Sequence, residues 1–177
     1  VASPRAAFDR QSMQWDLNYF KYYYLKMVNI PFNEQLLEDD YQSFMDYLLS
    51  ADDDFFLYRD FQSRNIMLSN DDVYFIDYQG GRKGALQYDI ASLLYDATAD
   101  LSPEVREELL ETYMDHLSKL ISVDRAQFKA YFNAFSLIRI MQAMGADGYR
   151  GYFERKVHFL QSVPYAIRNM RYLLQQN

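Results

Sequence analysis

Cysteine is absent from the 177 residues, which excludes disulfides and thiolate metal sites and fits a reducing compartment. Histidine occurs only as His116 and His158. Neither has a second histidine or a cysteine nearby to complete a metal site, so both are expected to be structural. No apolar run approaches the ~18 residues of a membrane span, and no signal peptide precedes the first helical pattern. A soluble, cytoplasmic protein with no membrane partner is the expectation. Glycine is scarce, and all six copies lie at Gly80 or later. Excess positive charge is lacking too: the net charge of -7 argues against a nucleic-acid partner, which calls for a basic face.

What is present is apolar and aromatic. Half of the chain is hydrophobic, and 17 tyrosines with 13 phenylalanines describe a globular protein rather than a disordered one. The length suits one well-buried domain and is short for two. Charge is unevenly spread: from Arg125 onward eight Lys and Arg face two acidic residues, whereas the preceding part is strongly acidic. Two readings stay open. Either the two parts neutralise each other where they pack, or some basic side chains face an anionic ligand.

Most of the chain has helical periodicity. "DRQSMQWDLNYFKYYYLKMV" carries a stripe at Trp15, Tyr19, Tyr23 and Met27, and "NEQLLEDDYQSFMDYLLS" repeats it at Leu37, Tyr41, Phe44 and Leu48 with Asn33 as N-cap. The period then shortens. "DFFLY", "NIMLS" and "VYFIDY" predict a small strand followed by a hairpin. Helix resumes after "QGGRKGALQ", with Asp89 as the expected N-cap of "IASLLYDA" and Ser102-Pro103-Glu104 opening the next helix. Val105, Leu109, Tyr113, Leu117 and Leu120 should line one face of that helix. The following one should run from about Asp124, bury Phe128, Phe132, Phe135 and Ile138, and break at "GADG". "YFERKVHFLQS" and "PYAIRNMRYLLQQ" read as helix again. The fold class that follows is α+β, predominantly helical, with one small hairpin near the middle.

The link "YRDFQSRN", Tyr58 to Asn65, concentrates polar residues between apolar runs. If Ser69 pairs with Val73 across a three-residue loop, Asn65 lies opposite Asp77, with Cβ atoms about 4.5–5.5 Å apart. An amide oxygen and a carboxylate at that spacing can share a hard cation such as Mg²⁺. Asp60, five residues before Asn65, can point at the same volume without being a ligand. Singly, each has a structural explanation: a turn cap, a satisfied loop backbone, a strand end. Together they supply a proton acceptor and two oxygen ligands, the parts that phosphoryl transfer needs.

At these residues the sequence resembles the aminoglycoside phosphotransferase-like kinases, distant relatives of protein kinases. "YRDFQSRNIMLSNDDVYFIDYQGGRKGALQYDIASLL" is similar to their H-x-D-x-x-x-x-N loop, the strand ending in a metal-binding Asp, and the Y-D-hydrophobic-A helix start. The resemblance implies that Asp60 is the catalytic base and that Asn65 and Asp77 are Mg²⁺ ligands, with ATP as co-substrate. Arg59 and Arg64 would pair with carboxylates or touch phosphate or substrate, and Asp89 would order the loop after Asp77. The "RDFQSRN" loop and the late segment "RIMQAMGADGYRGYFERKVHFLQSVPYAIRNMRYLL" further resemble bacterial kinases of the anomeric hydroxyl of N-acetylmuramate and N-acetylglucosamine, so an amino sugar is the implied acceptor.

The chain also departs from the pattern. Tyr58 stands where the family has His, and Tyr78-Gln79 follow Asp77 in place of Phe-Gly. Nothing resembles the N-terminal lobe, with its glycine-rich turn over the phosphates and its lysine. The first residue is Val1, not methionine. Residues 1–177 are therefore expected to be the C-terminal, catalytic-loop and substrate-binding lobe of a protein-kinase-like fold, inactive without its own N-terminal lobe. A choline or aminoglycoside acceptor, and a pseudokinase that keeps the fold without turnover, remain as alternatives.

Overall fold

A computed structural model describes residues 5–175. Helix α1 spans Arg10–Phe20, capped where the Asp9 carboxylate accepts the Ser12 N–H at 2.9 Å, and continues through a wider π-turn, Lys21–Leu25. α2 is Glu34–Leu49, with Asn33 as the expected N-cap, accepting from the Leu36 N–H at 3.0 Å. Four short strands follow: β1 Phe55–Leu57, β2 Ile66–Ser69, β3 Asp72–Phe75 and β4 Arg82–Gly84. The remaining helices are α3 Leu86–Leu94, α4 Pro103–Leu117, α5 Arg125–Gly148 and α6 Val163–Leu174. The expected end of the last helix at Gln176 lies outside the described residues. The fold is predominantly helical α+β with a small hairpin.

The long helix α5 is the centre of the molecule, packed on α1, α3 and α6. Its Phe128, Phe132, Phe135 and Ile138 are buried as their spacing predicts, and they meet Leu17, Met45, Leu57, Leu94 and Met114 in one core. It does not break at "GADG". A side-chain carbon on Gly145 would fall 2.6 Å from the Tyr19 carbonyl carbon, and one on Gly148 only 2.1 Å from the Tyr23 oxygen. The two glycines let α5 press backbone to backbone against α1, so they are contact residues and not helix breakers. The chain then widens into a second π-turn, Tyr149–Phe153. "YFERKVHFLQS" is thus not one helix: a break at 154–156 separates this turn from a 3₁₀ stretch, Val157–Ser162.

Two expected faces are displaced. α1 buries Met13, Leu17, Phe20 and, in its π-turn, Tyr24, while Trp15 is exposed under the Arg5 guanidinium and Tyr19 and Tyr23 pack on Tyr149. α4 buries Arg106, Leu110, Met114 and Leu117, and leaves Val105, Leu109 and Leu120 exposed. The cause there is Arg106, which lies 4.5 Å over the Tyr95 ring and donates to Asn169 at 2.7 Å. A charged residue took an inward position that an apolar count would deny it.

The strands form two separate ribbons. β1 pairs antiparallel with β4, Phe55 opposite Gly84 and Leu57 opposite Arg82. β2 pairs with β3, Ile66 opposite Phe75 and Ser69 opposite Asp72. The hairpin register therefore differs by one from the expectation. The turn has two residues, Asn70 and Asp71, both at positive φ (50° and 67°), the conformation that a tight hairpin turn demands and that Asn and Asp tolerate. Asn65 stands opposite Ile76, whose N–H donates to the Asn65 carbonyl at 3.1 Å. Asp77 lies outside the strand, in a left-handed conformation (φ 72°, ψ 36°).

Candidate active site

The link from β1 to β2 is anchored from α3. The Asp89 carboxylate accepts the backbone N–H of Tyr58 at 2.6 Å and of Arg59 at 2.9 Å. It does not cap α3, whose N-cap position is Ala85. Its place one turn into α3 aims it at the link that precedes Asp60, rather than at the segment after Asp77. Burial raises the Asp89 pKa to about 6, against the pull of those two hydrogen bonds.

Arg59 has φ 82° and turns its side chain inward. Its guanidinium donates to both Asp16 oxygens at 2.8 and 2.9 Å and to the Tyr88 hydroxyl at 2.7 Å, and it lies 4.8 Å over the Phe8 ring. Burial opposes the charge, but Tyr88 and Asp16 outweigh it and hold the Arg59 pKa above the ordinary arginine value. Of its two expected roles, Arg59 takes the carboxylate partner. That pairing turns the next residue, Asp60, outward, with its carboxylate beside Gly80.

The next turn is held the same way. Asp96 accepts from the Ser63 N–H at 3.1 Å and the Ser63 hydroxyl at 2.6 Å. Burial opposes its charge, yet the hydrogen bonds from Ser63 and Thr98 prevail and lower its pKa. Asn65 closes the link. It is 6% exposed, and its side-chain nitrogen donates to the Asp60 carbonyl at 2.8 Å. The amide oxygen is left as the atom able to serve a cation.

Tyr58 ties the link to the hairpin: its hydroxyl donates to the carbonyl of Ile76, the residue before Asp77. Its ring meets Phe61 at 5.6 Å, and Phe61 meets Phe75 at the same distance. Burial, then the nearby Asp77, Asp89 and Asp60 charges, raise the Tyr58 pKa, so the hydroxyl stays a donor at neutral pH. Asp77 accepts from the Gln79 side chain.

Asp60, Asp77 and Arg64 open onto one cavity of about 620 Å³ whose far wall is α5 and the turn after it, with Arg139, Asp147 and Arg150. Asn65 stands behind Asp60 and is not among the lining residues. Among the described residues no three acidic or histidine side chains gather to hold a metal unaided. The donor set instead suits Mg²⁺, which is usually held by one or two carboxylates with phosphate oxygens completing the shell. Arg139, Asp147 and Arg150 all lie in the late segment quoted above, but their place on the cavity wall was not expected from the sequence. Their signal is a polar stripe, Arg139, Gln142, Asp147, Arg150, interleaved with Ala143 and Ala146 along one side of α5 and the turn after it.

The basic and acidic parts of the chain neutralise each other at several places where they pack. Arg125 pairs with Glu111 and Asp115, Lys129 with Glu107 at 2.5 Å, and Arg168 with Asp100, all joining the basic part to the acidic one. Arg139 and Arg150 line the cavity instead. Among the described residues no helix is long and apolar enough to cross a membrane.

Compared with known protein families, residues 2–127 match the family described as APH, phosphotransferase enzyme family. No curated protein matches the chain.

Proposed function

The chain belongs to the phosphotransferase enzyme family, and from that premise we propose that it is the C-terminal lobe of an ATP- and Mg²⁺-dependent kinase acting on a hydroxyl of a small molecule, an amino sugar at its anomeric position. The observation that carries this reading is the convergence of Asp60 and Asp77 on one cavity, from separate elements, with Asn65 braced behind Asp60.

Asp60 orients the acceptor hydroxyl and takes its proton as the acceptor oxygen bonds to the γ-phosphorus and the bond from that phosphorus to the β-bridging oxygen breaks, releasing ADP. Asn65 and Asp77 are the residues that would hold Mg²⁺. Bound there, the ion would neutralise charge on the phosphate oxygens. Tyr58, through Ile76, fixes where Asp77 stands, and Asp89, through the Tyr58 and Arg59 N–H groups, fixes where Asp60 stands.

The lobe assignment is supported by the hairpin. Met67, Leu68, Val73, Tyr74 and Phe75 are all exposed, on both faces of the ribbon, an apolar surface of a kind that soluble domains rarely leave uncovered. An N-terminal lobe would cover it and complete the nucleotide cleft.

Asp60→Asn in the full-length protein tests the base. Turnover should fall by at least about a hundredfold, within the usual worth of a positioned base, while nucleotide affinity stays nearly intact. Undiminished turnover rejects the assignment. A panel of amino sugars, choline and aminoglycosides with ATP and Mg²⁺ tests the acceptor: sugar 1-phosphate is expected, and products from choline alone reject the sugar.

A further inference from the structure

Arg106 is buried, at 6% exposure, and its close partners are neutral. Its guanidinium donates to the Asn169 side-chain oxygen at 2.7 Å and lies 4.5 Å over the Tyr95 ring. Among the described residues it forms no ion pair, whereas the buried Lys21 meets Glu34 and Glu38 and the inward-turned Arg59 meets Asp16. Its Nε–H has no acceptor, and neither has the side-chain NH₂ of Asn169, which is 2% exposed. Burial keeps the Tyr95 hydroxyl protonated, its pKa raised to about 12 against the pull of Arg106, so no phenolate supplies the missing charge. Desolvated donors without acceptors are unfavourable, and a desolvated cation without a counter-ion more so.

Arg106 borders a second cavity, of about 230 Å³, between α4, α5 and α6. Glu107 is the one carboxylate among its lining residues. Its side chain is 59% exposed and is held by Lys129 at 2.5 Å, and Lys129 takes Glu111 at the same distance. Of the other acids around the start of α4, Asp100 is engaged by Arg168 and Glu104 by the Ser102 hydroxyl. Arg106 also closes the first turn of α4, at the positive end of that helix, where an anion is favoured. The rest of the wall is mainly apolar and aromatic, with Leu110, Phe132 and Tyr172. The volume is below the roughly 300–1,000 Å³ of drug-sized ligand sites, so the occupant is small.

We propose that this cavity binds a small carboxylate with an apolar or aromatic body, its charged end against Arg106. A carboxylate supplies acceptors and one negative charge to a guanidinium, and the apolar body suits the remaining wall. Phosphate offers the same acceptors without that body. The site is separate from the cavity of Asp60 and independent of the reaction proposed above.

The test titrates the full-length protein with benzoate, its neutral isostere benzamide, and inorganic phosphate by calorimetry. Benzoate should bind about ten- to a hundredfold tighter than benzamide, the usual worth of charge-assisted hydrogen bonds, and tighter than phosphate. Arg106→Met should weaken benzoate at least about tenfold, with circular dichroism confirming the fold. Asn133→Phe fills the same cavity from α5 and leaves Arg106 in place. It should have the same effect, and it carries the test if Arg106→Met fails to fold. Because Tyr95 lines both cavities, Arg150→Gln in the active-site cavity is the control and should leave benzoate affinity unchanged.

No saturable binding of benzoate, equal affinity for benzamide, or tighter binding of phosphate overturns the inference. So does wild-type benzoate affinity in a folded Arg106→Met or Asn133→Phe variant. Benzoate binding lost in Arg150→Gln overturns it as well, because the ligand would then sit in the active-site cavity.

Discussion

The side-chain nitrogen of Asn65 donates to the backbone carbonyl of Asp60 at 2.8 Å, so the two ends of a five-residue span are held as one unit. In Asn65→Asp the donor becomes an acceptor facing that carbonyl, inside a buried site. Stability should drop by about 1–3 kcal/mol in urea denaturation, and turnover should fall at least about tenfold as Asp60 loses its brace. Wild-type stability in the variant would show that the contact is incidental.

Tyr58 joins the link to the hairpin through one hydroxyl. Tyr58→Phe should keep the ring packing on Phe61 and lose the tether, about 0.5–1.5 kcal/mol. Amide hydrogen exchange across residues 70–80 should speed up roughly fivefold, the factor that about 1 kcal/mol represents. Unchanged exchange there would mean that the ribbon is held by something else.

Asp89 should titrate late. Its carboxyl carbon, followed by NMR, is expected to show a midpoint near pH 6, with burial as the cause, above the ordinary 3.8. Between those values the unfolded chain has released this proton and the folded one still holds it. The group's contribution to stability therefore declines as pH climbs from about 4 to about 6. A midpoint below 4 would show that the two backbone hydrogen bonds outweigh burial.

Removing Asp16 should strand Arg59 in the core. Asp16→Ala leaves a buried guanidinium without its carboxylate and should destabilise the fold by about 3–5 kcal/mol. Adding Arg59→Met to Asp16→Ala should recover part of that loss, because the two side chains act as a pair. Additive losses in thermal unfolding would refute the coupling.

The elements that could be read from the sequence are those whose signal is local. The cap at Asn33, the opening of α4 at Ser102-Pro103-Glu104 and the α5 stripe from Phe128 to Ile138 depend on neighbours a turn away, and all three stand as expected. What depended on distant partners was not legible. The buried faces of α1 and α4 were set by Tyr149 and Asn169, which are far off in the chain. β4 escaped notice because three residues, two of them charged, have no periodicity until Phe55–Leu57 lies beside them. The hairpin register turned on whether the loop takes two residues or three, and the sequence "SNDDV" permits both. Of the site, Asp60 and Asp77 could be placed from the motif, although the reason they meet differs from the one expected. The cavity's arginine wall comes from a helix some 60 to 90 residues downstream, at a separation over which no spacing rule operates.

The β2–β3 ribbon seats none of its side chains in the core, yet Asp77 hangs from its end. A lever without a footing of its own takes its stiffness from whatever leans on it: Tyr58 on one side and, in the arrangement proposed above, a nucleotide-binding lobe on the other. Lobe cohesion and cation placement would then be one mechanical event. On heating, the enzyme would lose its chemistry at the temperature where the two halves part, before the helices around α5 begin to melt.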